Sequence, residues 1–100
     1  MGYTRRRPER LAEKLRQIRT TLGLSQAELH KRLRVEEEIQ YTRISDYELD
    51  KNEPSLLVLL EYARVAGVHL EDIVDDRIEL AAQLPGTVKY DGKNKSRPKR

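Results

Sequence analysis

Apolar residues at helical spacing predict a first helix near the start of the chain. Four of them recur three or four residues apart and form one stripe: Leu11, Leu15, Ile18 and Leu22. Pro8 is expected in the first turn of this helix, where its missing amide hydrogen costs little. Gly23 follows the stripe and is expected to end the helix.

A capping pattern predicts the start of a second helix. Ser25 is followed three residues later by Glu28, so the serine hydroxyl can accept from the Glu28 amide while the glutamate accepts from the Ser25 amide. Leu29 and Leu33 then follow at helical spacing. A short helix after Ser25 is therefore expected.

A third helical pattern centres on Ile44 and Tyr47, which are three residues apart. The positions around them are polar: Thr42, Arg43, Ser45, Asp46 and Glu48. Two short helices with a connection between them, the second polar on its outer side, predict a helix-turn-helix unit. In such a unit the second helix can lie in the DNA major groove with its first residues against base edges.

The apolar pattern after residue 54 predicts two further helices. Pro54 and Ser55 begin the fourth helix, with Ser55 as its cap, and Gly67 is expected to end it. Its expected core positions are Leu56, Leu59, Leu60, Ala63 and Ala66. A short fifth helix is indicated by Leu70, Ile73 and Val74.

Leu57 and Val58 are left without a core position on the fourth helix. Adjacent large apolar side chains are not normally left in water. The chain offers cover in the apolar residues that follow Arg77, namely Ile78, Leu80 and Leu84. We expect this C-terminal segment to cover part of the fourth helix, with weak dimerisation through the surface that stays exposed.

Two groups of residues carry a family resemblance. The first group is Leu15, Arg16, Ile18, Arg19, Leu22, Gly23, Leu24, Ser25, Gln26, Glu28 and Leu29. The second group is Ile44, Ser45, Glu48, Lys51, Pro54, Ser55, Leu56, Leu59, Leu60, Ala63, Gly67, Val68, Leu70, Glu71, Asp72 and Ile73. In this order they resemble the lambda-repressor-like helix-turn-helix domain, also called the XRE family, over roughly residues 10 to 76. The resemblance implies an all-α bundle of about five short helices that binds double-stranded DNA, usually as a bacterial-type transcriptional regulator.

The resemblance also assigns roles on the third helix. The base-reading positions of the family fall on Tyr41, Thr42 and Asp46, and Gln40 takes the cap position. A threonine methyl can contact a thymine methyl, and a carboxylate can accept from a cytosine amino group. Ser45 is a further candidate DNA-binding residue on this helix.

Residues next to these positions are candidates for phosphate contact. Arg43 can bind guanine or a phosphate, or can instead pair on the surface with Asp46 or Asp50. Lys51 follows the third helix and Gln26 begins the second, and both are placed for a phosphate.

Two further positions are interpreted as scaffold. Arg19 and Glu48 fall where the family commonly has a partly buried ion pair between its first and third helices. Glu48 is assigned to the scaffold because a carboxylate facing DNA would repel phosphate. Asp50 stands where the family has Gly, and Asp tolerates the left-handed conformation better than most residues.

The connection between the second and third helices departs from the family. Residues 34–40 make it longer by about four residues, and His30 stands where the family prefers a small side chain. These departures predict that the two helices lie further apart than usual. The triplet Glu36, Glu37 and Glu38 is expected to be solvated and turned away from DNA.

Composition limits the chain to one small domain with tails. Its 100 residues contain no Phe, Trp or Cys, and the hydrophobic fraction of 37% is below the roughly 45–50% of ordinary globular chains. The expected organisation is a basic N-terminal arm at 1–7, a helix-turn-helix domain at 8–76, a C-terminal extension packing on the bundle at 77–86, and a basic disordered tail at 87–100.

The net charge of +3 is unevenly distributed. Residues 1–23 carry seven basic and two acidic side chains, as do residues 77–100, whereas residues 24–76 carry six basic and thirteen acidic ones. Phosphate attraction is therefore expected mainly from the tails and the first helix. Arg5, Arg6 and Arg7 can form an arm that reaches the minor groove or phosphates, and a solvated tail is the alternative.

Catalysis is not expected. His30 and His69 are the only histidines, and neither has a partner at metal or triad spacing. Asp72, Asp75 and Asp76 lack the spacing and glycine of a calcium loop and are interpreted as a solvated helix end. No cofactor is predicted.

Two functions remain open. The absence of cysteine and of an apolar run near ~18 residues favours a cytoplasmic protein. The leading prediction is a sequence-specific DNA-binding regulator of the repressor type. The alternative is a protein-binding helix-turn-helix module, such as an antitoxin or an adaptor, with weak DNA affinity; the acidic middle and the long connection favour it.

Overall fold

Every predicted helix is present in the computed structural model, which describes residues 8–81 and 84–85. The helices are α1 (Leu11–Leu22), α2 (Gln26–Leu33), α3 (Thr42–Glu48), α4 (Leu56–Ala66) and α5 (Leu70–Val74). Helix α1 packs against α3, α4 and α5, and α2 packs against α3 and α4. The all-α prediction is confirmed, and α2 and α3 form the helix-turn-helix. None of the helices in this part of the chain is long and apolar enough to cross a membrane.

Local sequence sets several of the helix ends. The Ser25 hydroxyl accepts from the Glu28 amide at 3.0 Å and the Glu28 carboxylate accepts from the Ser25 amide at 2.8 Å, so the predicted capping box is formed. Gly23 ends α1 with φ of 73° and Gly67 ends α4 with φ of 76°. Ser55 caps α4 by accepting from the Val58 amide at 3.2 Å.

The start of α1 differs from the prediction. Pro8 lies before the helix rather than in its first turn, because α1 begins at Leu11. The cap comes from a distant residue: the Asp76 carboxylate accepts from the amides of Glu9 at 2.8 Å and Arg10 at 2.9 Å. These backbone bonds, that from Arg10 first, lower the pKa of Asp76.

The sequence predicts a solvated helix end at Asp72, Asp75 and Asp76, but in the structure these residues bond to other parts of the chain. Besides the cap made by Asp76, the Asp75 carboxylate accepts from the Arg77 guanidinium at 2.9 Å, and this pair lowers the pKa of Asp75 to about 2. The buried Lys14 ammonium donates to the main-chain carbonyls of Asp72 and Asp75, both at 2.8 Å. A cation at the last carbonyls of a helix is favourably placed. This junction fixes α1 to α5.

The core is aliphatic with two tyrosines. Its buried residues are Leu11, Leu15, Ile18, Leu29, Leu33, Val35, Ile44, Tyr47, Val58, Leu59, Tyr62, Ala63, Ala66, Ile73, Leu80 and Leu84. Tyr62 is the largest of the fully buried side chains. In a chain without Phe or Trp, Tyr62 supplies volume that the smaller side chains cannot.

The buried face of α4 is rotated relative to the prediction. Leu56 was expected in the core but is 67% exposed, while Val58 and Tyr62 are buried and Leu60 is only partly so. Helix α4 packs against α1, α2 and α5, and these contacts lie on the side that carries Val58 and Tyr62. The first turn therefore points Leu56 away from the core.

The segment after α5 contributes to the core. Leu80 and Leu84 are buried in it and Ile78 is partly buried. The Arg10 guanidinium donates to the Glu79 carboxylate at 3.0 Å, which ties the segment to the start of α1. It does not cover Leu57, which is 71% exposed. Residues 82–83 and 86–100 lie outside the described residues, as does the predicted tail.

Two leucine-to-alanine variants test this arrangement. Leu84→Ala removes a fully buried side chain and should lower the free energy of unfolding by about 2–5 kcal/mol. Leu57→Ala is the matched control, since its side chain is mostly in solvent, and should change stability by no more than about 0.5 kcal/mol. Urea denaturation of both variants measures the difference. Equal losses of unfolding free energy in the two variants would show that the C-terminal segment is not part of the core.

Candidate nucleic-acid interface

A shielded ion pair joins α1 to α3. Arg19 Nε donates to Glu48 Oε2 at 2.7 Å and Nη2 donates to Oε1 at 3.0 Å, a bidentate geometry that strengthens both bonds. The Arg19 side chain is 16% exposed and that of Glu48 is 5% exposed. The hydrogen bond from Glu48 raises the pKa of Arg19. The predicted pair is confirmed.

The same pair also reaches α2. Arg19 Nη1 donates to the Leu24 carbonyl at 3.1 Å, just before the α2 cap. The Gln26 side-chain amide donates to Glu48 Oε1 at 3.3 Å. One carboxylate thus receives donors from α1 and α2 and holds α3 against both. The arrangement fixes the position of α3 in the bundle.

Helix α3 begins one residue later than the resemblance implied. Its N-cap is Tyr41 rather than Gln40, and no side chain makes a capping hydrogen bond there. The Gln40 and Tyr41 carbonyls accept from the amides of Arg43 at 2.9 Å and Ile44 at 3.0 Å. Tyr41 at the N-cap, where Ser or Thr is usual, leaves the start of α3 without a side-chain cap.

One side of α3 faces solvent. Ile44 and Tyr47 are buried on the inner side, as predicted. Of the predicted base-reading residues, Tyr41 and Thr42 are exposed and Asp46 is half-buried; of the other predicted DNA-binding residues on this helix, Arg43 is exposed and Ser45 is half-buried. Leu49, at the end of the helix, is 61% exposed and was not among the predicted site residues.

The turn after α3 places Lys51 beside this surface. Asp50 has φ of 64°, which confirms its left-handed conformation. The amides of Lys51 and Asn52 donate to the Asp46 carbonyl at 2.9 and 3.4 Å. With the Asn52 amide oriented to satisfy its neighbours, its oxygen accepts from Arg43 Nη1 at 2.9 Å. Arg43 therefore lies near the turn that carries exposed Lys51.

A cleft of about 290 Å³ lies where α1, α2 and α3 meet. It is lined by Arg16, Arg19, Gln26, Ser45, Glu48 and Leu49. Gln26, predicted at a phosphate, has its amide on Glu48 instead of free in solvent. Arg16 is exposed and was missed as a site residue. Its position three residues before Arg19 on α1 places both on one side of the helix and would have indicated it.

The connection between α2 and α3 is anchored at both ends. Arg34 ends α2 with φ of 60°, and the following Val35 is buried. Ile39 packs against the core from the other end. The glutamates at 36–38 between them are exposed. Although the connection is long, α2 and α3 remain in contact.

The charges of the described surface are mixed. Arg16, Arg43 and Lys51 are exposed cations near α3, while Asp46 and Asp50 contribute negative charge on the same helix end. The residues of the predicted arm, Arg5, Arg6 and Arg7, lie outside the described residues. Within 8–81 and 84–85 no group of three or more His, Asp or Glu residues is placed to hold a metal ion.

The fold and this surface define the class of the molecule, a five-helix bundle that presents the second helix of a helix-turn-helix. Residues 15–73 match the family model described as helix-turn-helix, HTH_3. The chain belongs to this family, the XRE or lambda-repressor-like helix-turn-helix domains, which are DNA-binding regulatory domains. No curated protein and no solved structure matches the chain.

A double-mutant cycle tests the Arg19–Glu48 pair. Arg19→Leu and Glu48→Leu each leave one shielded charge without its partner. Each single variant should therefore lose a large share of the free energy of unfolding relative to the double variant. The coupling free energy should be about 0.5–3 kcal/mol, measured by urea denaturation of all four proteins. Additive losses would contradict the pairing.

Proposed function

We propose that the protein is a sequence-specific DNA-binding transcriptional regulator of the repressor type, with α3 in the major groove. The observation that carries the proposal is the exposed outer side of α3, held in place by the Arg19–Glu48 pair and followed by Lys51. A helix presented in this way can enter the groove with its first residues against base edges. A DNA ligand also supports the expected cytoplasmic location.

Base reading is assigned to the first turns of α3. Thr42 can place its methyl group against a thymine methyl, and Tyr41 can contact a base edge or a phosphate. Arg43 can donate to guanine or to a phosphate, and its contact with Asn52 restricts its range. Asp46 is half-buried and can accept from a cytosine amino group. Ser45 lines the neighbouring cleft and Gln40 lies just before the helix.

Phosphate contact is assigned to residues around α3. Lys51 flanks one end of the helix, and Arg16 and Gln26 line the cleft at its side. The basic arm at 5–7 and the basic residues beyond 86 add sequence-independent attraction. Because residues 24–76 are acidic overall, these contacts must offset repulsion from the bundle itself. We therefore expect binding that depends strongly on salt.

The alternative, a protein-binding module with weak DNA affinity, is favoured by one observation. Leu56 and Leu57 are 67% and 71% exposed at the start of α4, where adjacent apolar side chains suit a protein contact. The same two leucines are our candidates for weak homodimerisation, which would present two copies of α3 to paired half-sites.

Sedimentation of the Leu57→Ala variant tests this contact. We expect weaker self-association than in the unsubstituted chain, and unchanged self-association would exclude Leu57 from the contact.

Binding to DNA selected from a genomic fragment library at about 0.15 M salt tests the leading proposal. Thr42→Ala should weaken binding to the selected DNA but not to random DNA, because its methyl group reads a base. Arg43→Ala should lower the affinity for the selected DNA by about tenfold, which is the effect of losing one base contact. Lys51→Ala should lower the affinity for all DNA sequences alike. It should also reduce the slope of log affinity against log salt concentration by about 0.9, because one phosphate contact is lost.

Arg64→Ala is the matched control for Lys51→Ala. It removes the same charge from an exposed site on α4, where Arg64 pairs with Glu61, and should leave the selected DNA bound as before. If Thr42, Arg43 and Lys51 can all be replaced without loss of DNA affinity, or if the library yields no bound fragment, the protein-binding function is favoured instead.

A further inference from the structure

His30 bonds to the long connection that precedes α3. Its Nε2 lies 2.7 Å from the Ile39 carbonyl oxygen. A carbonyl oxygen only accepts, so Nε2 must carry the hydrogen and donate. The imidazole also neighbours the Tyr41 ring, with centroids 6.5 Å apart and planes inclined at 57°, within the range of interacting aromatic pairs. One α2 side chain therefore contacts both ends of the short segment 39–41.

This segment leads directly into α3. Gln40 and Tyr41 provide the carbonyls that accept the first amide bonds of the helix, and no side chain caps it. The Ile39 carbonyl comes just before these two residues, and the Tyr41 ring belongs to the N-cap of α3. His30 holds both. A small residue at this position would leave the carbonyl without this donor and the ring without this neighbour.

The added length of the connection gives His30 this role. The exposed glutamates at 36–38 lie in a turn between buried Val35 and partly buried Ile39, in which the Val35 carbonyl accepts from the amides of Glu38 at 2.9 Å and Ile39 at 3.0 Å. A longer connection costs more entropy to close, and the His30 bond adds a side-chain contact at its last residues. The His30 imidazole supplies this contact between α2 and the end of the connection.

We propose that His30 is a positioning residue for DNA recognition, setting Tyr41 and Thr42 against base edges through its bond to Ile39. The inference rests on the proposed DNA-binding function and adds a determinant of selectivity that lies outside the contact surface. A positioning role affects discrimination between sequences, whereas it leaves the number of phosphate contacts unchanged. This difference separates it from general support of the fold.

The test compares His30→Ala, His30→Gln and the matched control His69→Ala in the full chain, at a temperature where each is folded. His69 is the other histidine, exposed at the start of α5. His30→Ala should lower the affinity for the selected duplex about tenfold, which corresponds to about 1.4 kcal/mol of binding free energy. The affinity for random duplex and the salt dependence of binding should stay unchanged. His30→Gln can donate from its side-chain amide and should recover most of the loss. His69→Ala should bind as the unsubstituted chain does.

A spectroscopic readout accompanies the binding measurements. Imidazole nitrogen shifts of the free protein should show hydrogen on Nε2 of His30. Hydrogen on Nδ1 alone, undiminished selectivity in His30→Ala, equal loss on random DNA, or no recovery in His30→Gln would each overturn the proposal. If the unsubstituted chain binds no DNA, the proposed function fails with it, whereas selective binding retained by His30→Ala removes only the role of His30.

Discussion

The contact between Arg19 and Glu48 determines how this bundle presents its third helix. Two short bonds, at 2.7 and 3.0 Å, cross from α1 to α3, and the same carboxylate receives Gln26 from α2. Helix α3 has only seven residues and no side-chain cap, so it has little stability of its own. Its position comes from the buried Ile44 and Tyr47 on one side and from this pair. The cost of shielding two charges is offset because both are bonded.

Features set by neighbouring residues could be predicted from the sequence, and features set by distant contacts could not. The capping box at Ser25 and the end of α1 at Gly23 follow from local patterns, and the Arg19–Glu48 pair follows from the family resemblance. The Asp76 cap could not be predicted in this way, because Asp76 lies 67 positions after Glu9 and 66 positions after Arg10 in the sequence. Its partners, like those of Lys14, are main-chain groups of another helix end, which no local spacing indicates.

The candidate site shows the same division. Thr42 and Arg43 could be assigned to the outer side because Ile44 and Tyr47 define the inner side of a short helix. The shift of the cap from Gln40 to Tyr41 could not be predicted, because it depends on the course of the long connection, which no local pattern specifies. On α4, the rotation that buries Val58 and exposes Leu56 depends on three neighbouring helices. A pattern of consecutive leucines is compatible with either face.

The central claim, that this outer side of α3 is the DNA-binding surface, is tested most directly by amide NMR of the full chain titrated with a selected duplex. We expect shift changes concentrated at Gln26, residues 41–46 and residues 51–52. Perturbation confined to the start of α4 or to the chain ends, with α3 unchanged, would contradict it.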